Sequence, residues 1–403
     1  MKKFILFLAA VLCCSEFSFS QWISQSSGTP LNLSSVYFVN ENTGWFVGDV
    51  GTIKYTTNGG TNWVAQSGSS ALSSVQFINL NTGWAAGPGG LIMKTSNNGA
   101  NWIAQTSGTS VTLRAIFFTN ESTGWAAGDG GVIRTTTNGG LNWTAQTSGT
   151  INSLYNVYFN NSAIGWIAGT FGTILYTANG GANWSTQTTN TTFHFYGVSF
   201  VNLSTGWAVG YQGIIRYTTN GGTTWTNQES TTSSYLYAVQ FLNPFTGYAA
   251  GNTGTIIKTT NSGLNWIAQT TGVGDNLYGL HFPSLSTGFA VGTTGRIIKT
   301  TNGGATFIQS IGNEVPKEYK LMQNFPNPFN PVTNIRFQIP KSGMVKLIIS
   351  DINGKEVERL INQKLNEGLY NFNWNSGANP SGVYFYKIET ESFTESKKMI
   401  LIK

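Results

Sequence analysis

Asp49 and Asp129 each sit in the frame Gly-Asp-x-Gly, and Asp275 lies in a short Gly/Asn loop. Two carboxyl groups facing one another could cleave a glycosidic bond, about 5 Å apart for retention of configuration and roughly 6.5–9.5 Å apart for inversion. The other use of an Asp in such a frame is turn formation, where its oxygens accept backbone N–H groups. His194 and His281 are the only histidines, and neither has a His or Cys neighbour at metal-ligand spacing. No metal site, no Ser-His-Asp arrangement and no cofactor is expected. Lys54, Arg134 and Arg216 recur at one equivalent position, which reads as scaffold.

A different set of residues suits binding. Ser34, Ser73, Arg114, Tyr155, Tyr196, Tyr237 and Tyr278 fall at equivalent places in successive segments, each directly after an apolar residue. Four consecutive segments thus present Tyr and a fifth presents Arg, with Phe171, Phe193, His194, Tyr211 and Tyr235 in nearby loops. Tyr and Arg are favoured at binding hot spots because they bury a large area and keep a polar handle. The alternative is that the repeated Tyr packs between segments, and the Ser at the first two positions argues for a sided, functional arrangement.

The elements that position these residues are repeats. The octet "TTNGGTNW" from Thr56 returns from Thr95, Thr136, Thr177, Thr218, Thr259 and Thr300, and a Gly-aromatic pair ends at Trp45, Trp84, Trp125, Trp166, Trp207, Tyr248 and Phe289. The aromatic spacing is 39 once and 41 five times, within the roughly 40–45 residues of a four-stranded propeller blade. Each period holds four short alternating runs, here lettered a to d from the first, separated by Gly/Asn turns. The octet falls on the c–d turn, where Asn58, Asn97, Asn138, Asn179, Asn220, Asn261 and Asn302 are expected to be structural. Trp22 lies 41 residues before Trp63 and reads as an orphan d strand that closes the seventh blade, with "TFIQS" from Thr306 as its competitor.

The octet resembles the Asp-box of sialidases and other propellers, with Asn in place of Asp. "TGWAAGDGGVIRTTTNGGLNW" and its relatives, over about residues 22–311, resemble the photosystem II stability/assembly factor family, which implies a seven-bladed propeller and implies no photosystem here. Sialidase-like chemistry would require an arginine cluster, a tyrosine nucleophile and acids together, which the spacing does not offer.

Beyond Asn313 the composition changes. Residues 21–313 hold eight Lys or Arg and six Asp or Glu, whereas residues 314–403 hold twelve and nine. Neither segment has a basic run dense enough for nucleic acid or anionic lipid. "NFPNPFNP", "ISDINGKEV", "SGVYFYKI" and "KKMILIK" closely resemble the C-terminal type A sorting domain of the type IX secretion system, which implies handling by that machinery. Alternating strands and turns at Asn353-Gly354 and Pro380-Ser381-Gly382 predict a small β-sandwich. At the other end, residues 1–20 pair Lys2 and Lys3 with an apolar run and a Ser-x-Ser ending, a secretory leader. Both cysteines, Cys13 and Cys14, fall in it, and Leu12 stands where a lipoprotein leader would carry a small residue. No later run is long enough for a transmembrane helix.

The expected chain is all-β: a leader (1–20), a seven-bladed β-propeller (21–313) and a C-terminal β-sandwich sorting domain (314–403). The expected function is a non-catalytic binding or scaffold module that crosses the periplasm and is secreted or held at the outer cell surface. Arg114, Tyr155, Tyr196, Tyr237 and Tyr278 would carry binding to a surface glycan or protein. The competing expectation is a secreted glycoside hydrolase of sialidase-like or xyloglucanase-like propeller type.

Overall fold

A computed structural model describes residues 22–68, 70–304, 309–310, 316–376 and 379–402. The repeats form seven four-stranded antiparallel sheets, and a and d are the inner and outer strands of each. In the third blade these strands are Leu113–Phe118, Gly124–Gly128, Ile133–Thr136 and Thr144–Gln146. The seventh blade consists of Leu277–His281, Gly288–Gly292, Ile297–Thr300 and then Ile23–Gln25, with Ile23 opposite Lys299. The N-terminal strand therefore closes the ring. The competing segment from Thr306 lies outside the described residues up to position 308. Gln309–Ser310 pairs instead with Gly368–Asn375 of the tail, ahead of the boundary expected at residue 313.

Aromatic stacking holds adjacent blades together. The aromatic on each b strand stacks on the Phe that ends, or in the seventh blade directly follows, the next blade's a strand, as in Trp45–Phe77 at 3.5 Å and Trp207–Phe241 at 3.4 Å, and Phe289–Phe38 at 3.6 Å completes the circle. Such pairs contribute about 0.5–1.5 kcal/mol beyond the area they bury. The same Trp rings latch onto the neighbouring c–d turn: Trp84, Trp125, Trp166 and Trp207 donate Nε1–H to the carbonyls of Gly139, Gly180, Gly221 and Ser262. Tyr248 repeats this with its hydroxyl, 2.8 Å from Gly303 O. Phe289 has no donor, and Lys299 lies over its ring and donates from Nζ to Gly59 O at 2.9 Å.

The c–d turns show why Asn serves where related turns use Asp. In each, the Thr hydroxyl donates to the Asn Oδ1 and accepts from the Gly N–H four residues on. In the first six copies that Oδ1 also accepts the N–H four residues after the Asn, as from Asn142 to Asn138 at 2.9 Å. Both roles need only an acceptor. Asn138→Ala is therefore expected to cost about 1 kcal/mol and Asn138→Asp close to nothing, measured by chemical denaturation.

The free edges of six inner strands donate backbone hydrogen bonds to side chains of the blade before. Gln76 brackets Phe118, and Gln240 brackets Phe282, through both N–H and C=O. His281 occupies the equivalent place in the seventh blade and accepts the Phe38 N–H at Nδ1, with its ring 4.4 Å from that of Tyr37. Burial pushes the imidazole down to about 4. An unfolded His titrates near 6.5, so between these values the unfolded chain binds more protons. The stability from neutral His281 is complete above about pH 6.5 and is lost as the pH falls toward 4. About 2 kcal/mol should disappear between pH 7 and pH 5. His281→Gln should remove that pH dependence and keep the fold, since Gln makes this contact elsewhere in the ring.

The tail is a β-sandwich. One sheet contains Gly368–Asn375 and Val332–Ile339, and the other has Glu356–Leu365, Gly343–Ser350, Gly382–Glu389 and Thr394–Leu401 in that order. Ile335, Phe337, Leu347, Ile349, Trp374 and Tyr386 form part of the core between them. The Pro/Asn run is fixed by its amides. Buried Asn324 donates to Thr333 Oγ1 at 2.9 Å, and Asn327 Oδ1 accepts the Ile400 N–H, pinning the last strand. Among the described residues no helix is long and apolar enough to cross a membrane.

Candidate functional site

The b–c turns and d–a loops share one end of the ring because short hydrogen bonds tie them together. Tyr211 N donates to His194 O at 2.9 Å, and Asn252 N donates to Tyr235 O at 2.9 Å. The last Gly of each b–c turn is required there. Gly131 has φ +74, and a Cβ on it would lie 1.9 Å from Thr150 O. The residue before it is also left-handed in most blades, including Val50, Phe171 and Gln212, so this conformation belongs to the repeat.

Six inner strands begin with a β-bulge at this end, and the bulged residues are Ser34, Arg114, Tyr155, Tyr196, Tyr237 and Tyr278. Ser73 lies just ahead of the second blade's inner strand, Ser74–Phe77. A bulge leaves its extra residue outside the ladder and re-aims the side chain. The effect here is an unbroken arc. The Arg114 guanidinium lies 4.8 Å over the Tyr155 ring, and the ring centroids then run Tyr155–Tyr196 at 5.2 Å, Tyr196–Tyr237 at 5.4 Å and Tyr237–Tyr278 at 5.1 Å. All five side chains are half-buried. Burial, then the neighbouring tyrosines, pushes the Tyr196 hydroxyl up to about 12, so it stays a neutral donor.

A rim of aromatics stands beside the arc. His194 accepts the Phe171 N–H at Nδ1 and has its ring 6.3 Å from Tyr196, while Tyr211 lies 4.5 Å from Tyr235 and 5.4 Å from Phe193. Phe171 is 64% exposed and Phe193 41%.

The carboxylates are otherwise engaged. Asp129 takes a two-pronged hydrogen bond from Arg114, with Nη2 to Oδ2 at 3.0 Å. Burial alone would raise its carboxyl, but hydrogen bonds from Arg114 and Ser153 outweigh this and hold it below the usual range. Asp275 is held by Arg296 Nε and Thr294 Oγ1, both at 2.6 Å, and is lowered in the same way. Ring closure brings Asp49 near it through Asn32, which donates to Asp49 at 3.0 Å and accepts the Thr294 N–H. An arginine partner opposes the raised pKa that a glycosidic general acid needs. Lys54, Arg134 and Arg216 each donate to carbonyls of the preceding d–a loop, Ser27, Gly108 and Thr189 respectively. Among the described residues no three His, Cys, Asp or Glu side chains gather as a metal site.

Sequence reasoning placed the arc residues at one register position and missed what orients them. The Arg114–Asp129 pair was visible as the only blade with Arg at the arc position and Asp in its b–c turn.

The sequence profile of the photosynthesis system II assembly factor YCF48 family matches residues 14–156, 102–191 and 147–274, and that of the secretion system C-terminal sorting domain matches residues 323–403. No curated protein matches the chain significantly. Among solved structures, YCF48 bound to D1 peptide is similar at TM-score 0.61 and 20% identity, over 70% of this chain and 96% of that one. YCF48 from Cyanidioschyzon merolae gives 0.60 and 20%, over 69% and 98%. PorZ, a surface component of the type IX secretion system of Porphyromonas gingivalis, gives 0.54 and 14%, over 92% of this chain and 60% of that one. The chain thus belongs to the YCF48 family of propellers and carries a sorting domain for export by type IX secretion to the cell surface or the extracellular space.

Proposed function

We propose that this exported propeller is a non-catalytic binding or scaffold module, and that its ligand docks on the arc formed by Arg114, Tyr155, Tyr196, Tyr237 and Tyr278. The continuous contact of these five side chains over blades three to seven carries the reading. The structure solved with a D1 peptide supports binding as the use of such a ring. Here the ligand is a surface protein or glycan, anchored by the rings and met by the Arg114 fork, which Asp129 holds ready. The test is a glycan-array and surface-extract screen with the full chain, followed by affinity measurements on arc variants. A ligand whose affinity depends on the arc is the expected result, and a ligand indifferent to all five residues would overturn it.

A further inference from the structure

One outer strand departs from the repeat. Two and four residues after the d-strand Trp, the first four blades and the sixth carry Ala65/Ser67, Ala104/Thr106, Ala145/Thr147, Thr186/Thr188 and Ala268/Thr270. The fifth blade carries Asn227 and Glu229. Asn227 pairs across the strands with Arg216, whereas Arg134 and Lys54 face alanine at the same place. The three side chains form a row: Arg216 Nη1 donates to Asn227 Oδ1 at 2.5 Å, and Asn227 Nδ2 donates to Glu229 Oε1 at 2.8 Å. Arg216 Nε is tied to Thr189 O at 3.1 Å, which fixes the end of the row.

This row lines a cleft of about 490 Å³ together with Thr191, Gln212 and the partly exposed Phe193, whose ring rests against Tyr211. The larger cleft of about 670 Å³ in the third blade has Arg134 and Ala145 in its wall and neither the amide nor the acid.

We propose that the fifth-blade cleft is a binding subsite for a neutral saccharide. Vicinal hydroxyls donate and accept at fixed short spacing. The row offers the Arg216 Nη2 donors and the second Glu229 oxygen, which have no hydrogen-bond partner among the described residues. One cation and one anion in series leave no net charge for an ionic ligand to seek. Phe193 supplies a flat apolar face for the C–H side of a pyranose ring, as aromatic bodies do at sites that are apolar on one side and wet on the other. The volume falls within the range of small-ligand pockets, roughly 300–1,000 Å³. The subsite adjoins the aromatic rim through the Phe193–Tyr211 contact, and none of the five arc side chains lines it.

The test titrates the full chain with cellohexaose, xylohexaose, mannohexaose, maltohexaose and chitohexaose by calorimetry. At least one should bind, with affinity reduced at least tenfold in both Asn227→Ala and Phe193→Ala at unchanged melting temperature. Ile103→Ala, at an exposed outer-strand position of the second blade, should leave saccharide affinity unaltered, which ties the binding to this cleft. No binding by any of the five, binding that survives both substitutions, or a cleft-dependent peptide ligand from a display library in place of a saccharide would each overturn the proposal.

Discussion

Trp22→Ala is expected to destabilise the ring by about 3–5 kcal/mol, the range for truncating a large buried aromatic, and to lower its melting temperature by on the order of 10 °C. Trp22 has no solvent exposure and meets Phe282 edge-on at 5.7 Å. The six other blades repeat that contact, from Trp63 on Phe38 at 5.9 Å to Trp266 on Phe241 at 5.7 Å. Its loss removes the anchor of the strand that pairs with the outer edge of Ile297–Thr300 in the seventh blade. The neighbouring Ile23 is 66% exposed, and Ile23→Ala should change stability by less than about 0.5 kcal/mol. Equal melting curves for the two variants would mean that Trp22 does not close the ring.

The blades, their turns and the closing strand were legible because each depends on local rules: alternation, Gly/Asn turn chemistry and a fixed Trp interval. The arc was legible only as a register position. Its geometry depends on bulges, and Leu154 followed by Tyr155 looks like ordinary alternation until the pairing shows that Leu154 faces Gly169 and Asn156 faces Ala168. The latches between blades escaped for a related reason. Gln66, Gln105, Gln146, Gln187 and Gln228 each bridge to a carbonyl on the next blade's turn, a contact 32 or 34 residues away in sequence. Their recurrence at one d-strand position was the available clue, since an amide kept in place on an exposed outer strand needs a partner. The fork that Arg114 places on Asp129 is a side-chain contact between a b–c turn and an inner strand 15 residues before it, which turn chemistry alone does not reveal.

The largest effect on function is expected at the middle of the arc. Tyr196 touches both Tyr155 and Tyr237, and Tyr237 touches Tyr196 and Tyr278, so removing either ring interrupts the platform. Loss of a buried aromatic anchor costs about 2 kcal/mol or more in binding, roughly thirtyfold in affinity. Arg114→Lys is expected to weaken binding as well, because an ammonium cannot reproduce the fork that Asp129 holds over Tyr155. Both inner-strand positions are bulged and only half-buried, so the blade ladders do not depend on these rings.

The most direct measurement is the affinity of the recovered ligand for wild type, Tyr196→Ala and Tyr237→Ala, taken alongside the three melting temperatures. The binding account predicts a loss of about thirtyfold in affinity for each variant with melting temperatures within a few degrees of wild type. Unchanged affinity with sharply lowered melting temperatures would show that the arc is packing between blades, and would contradict it.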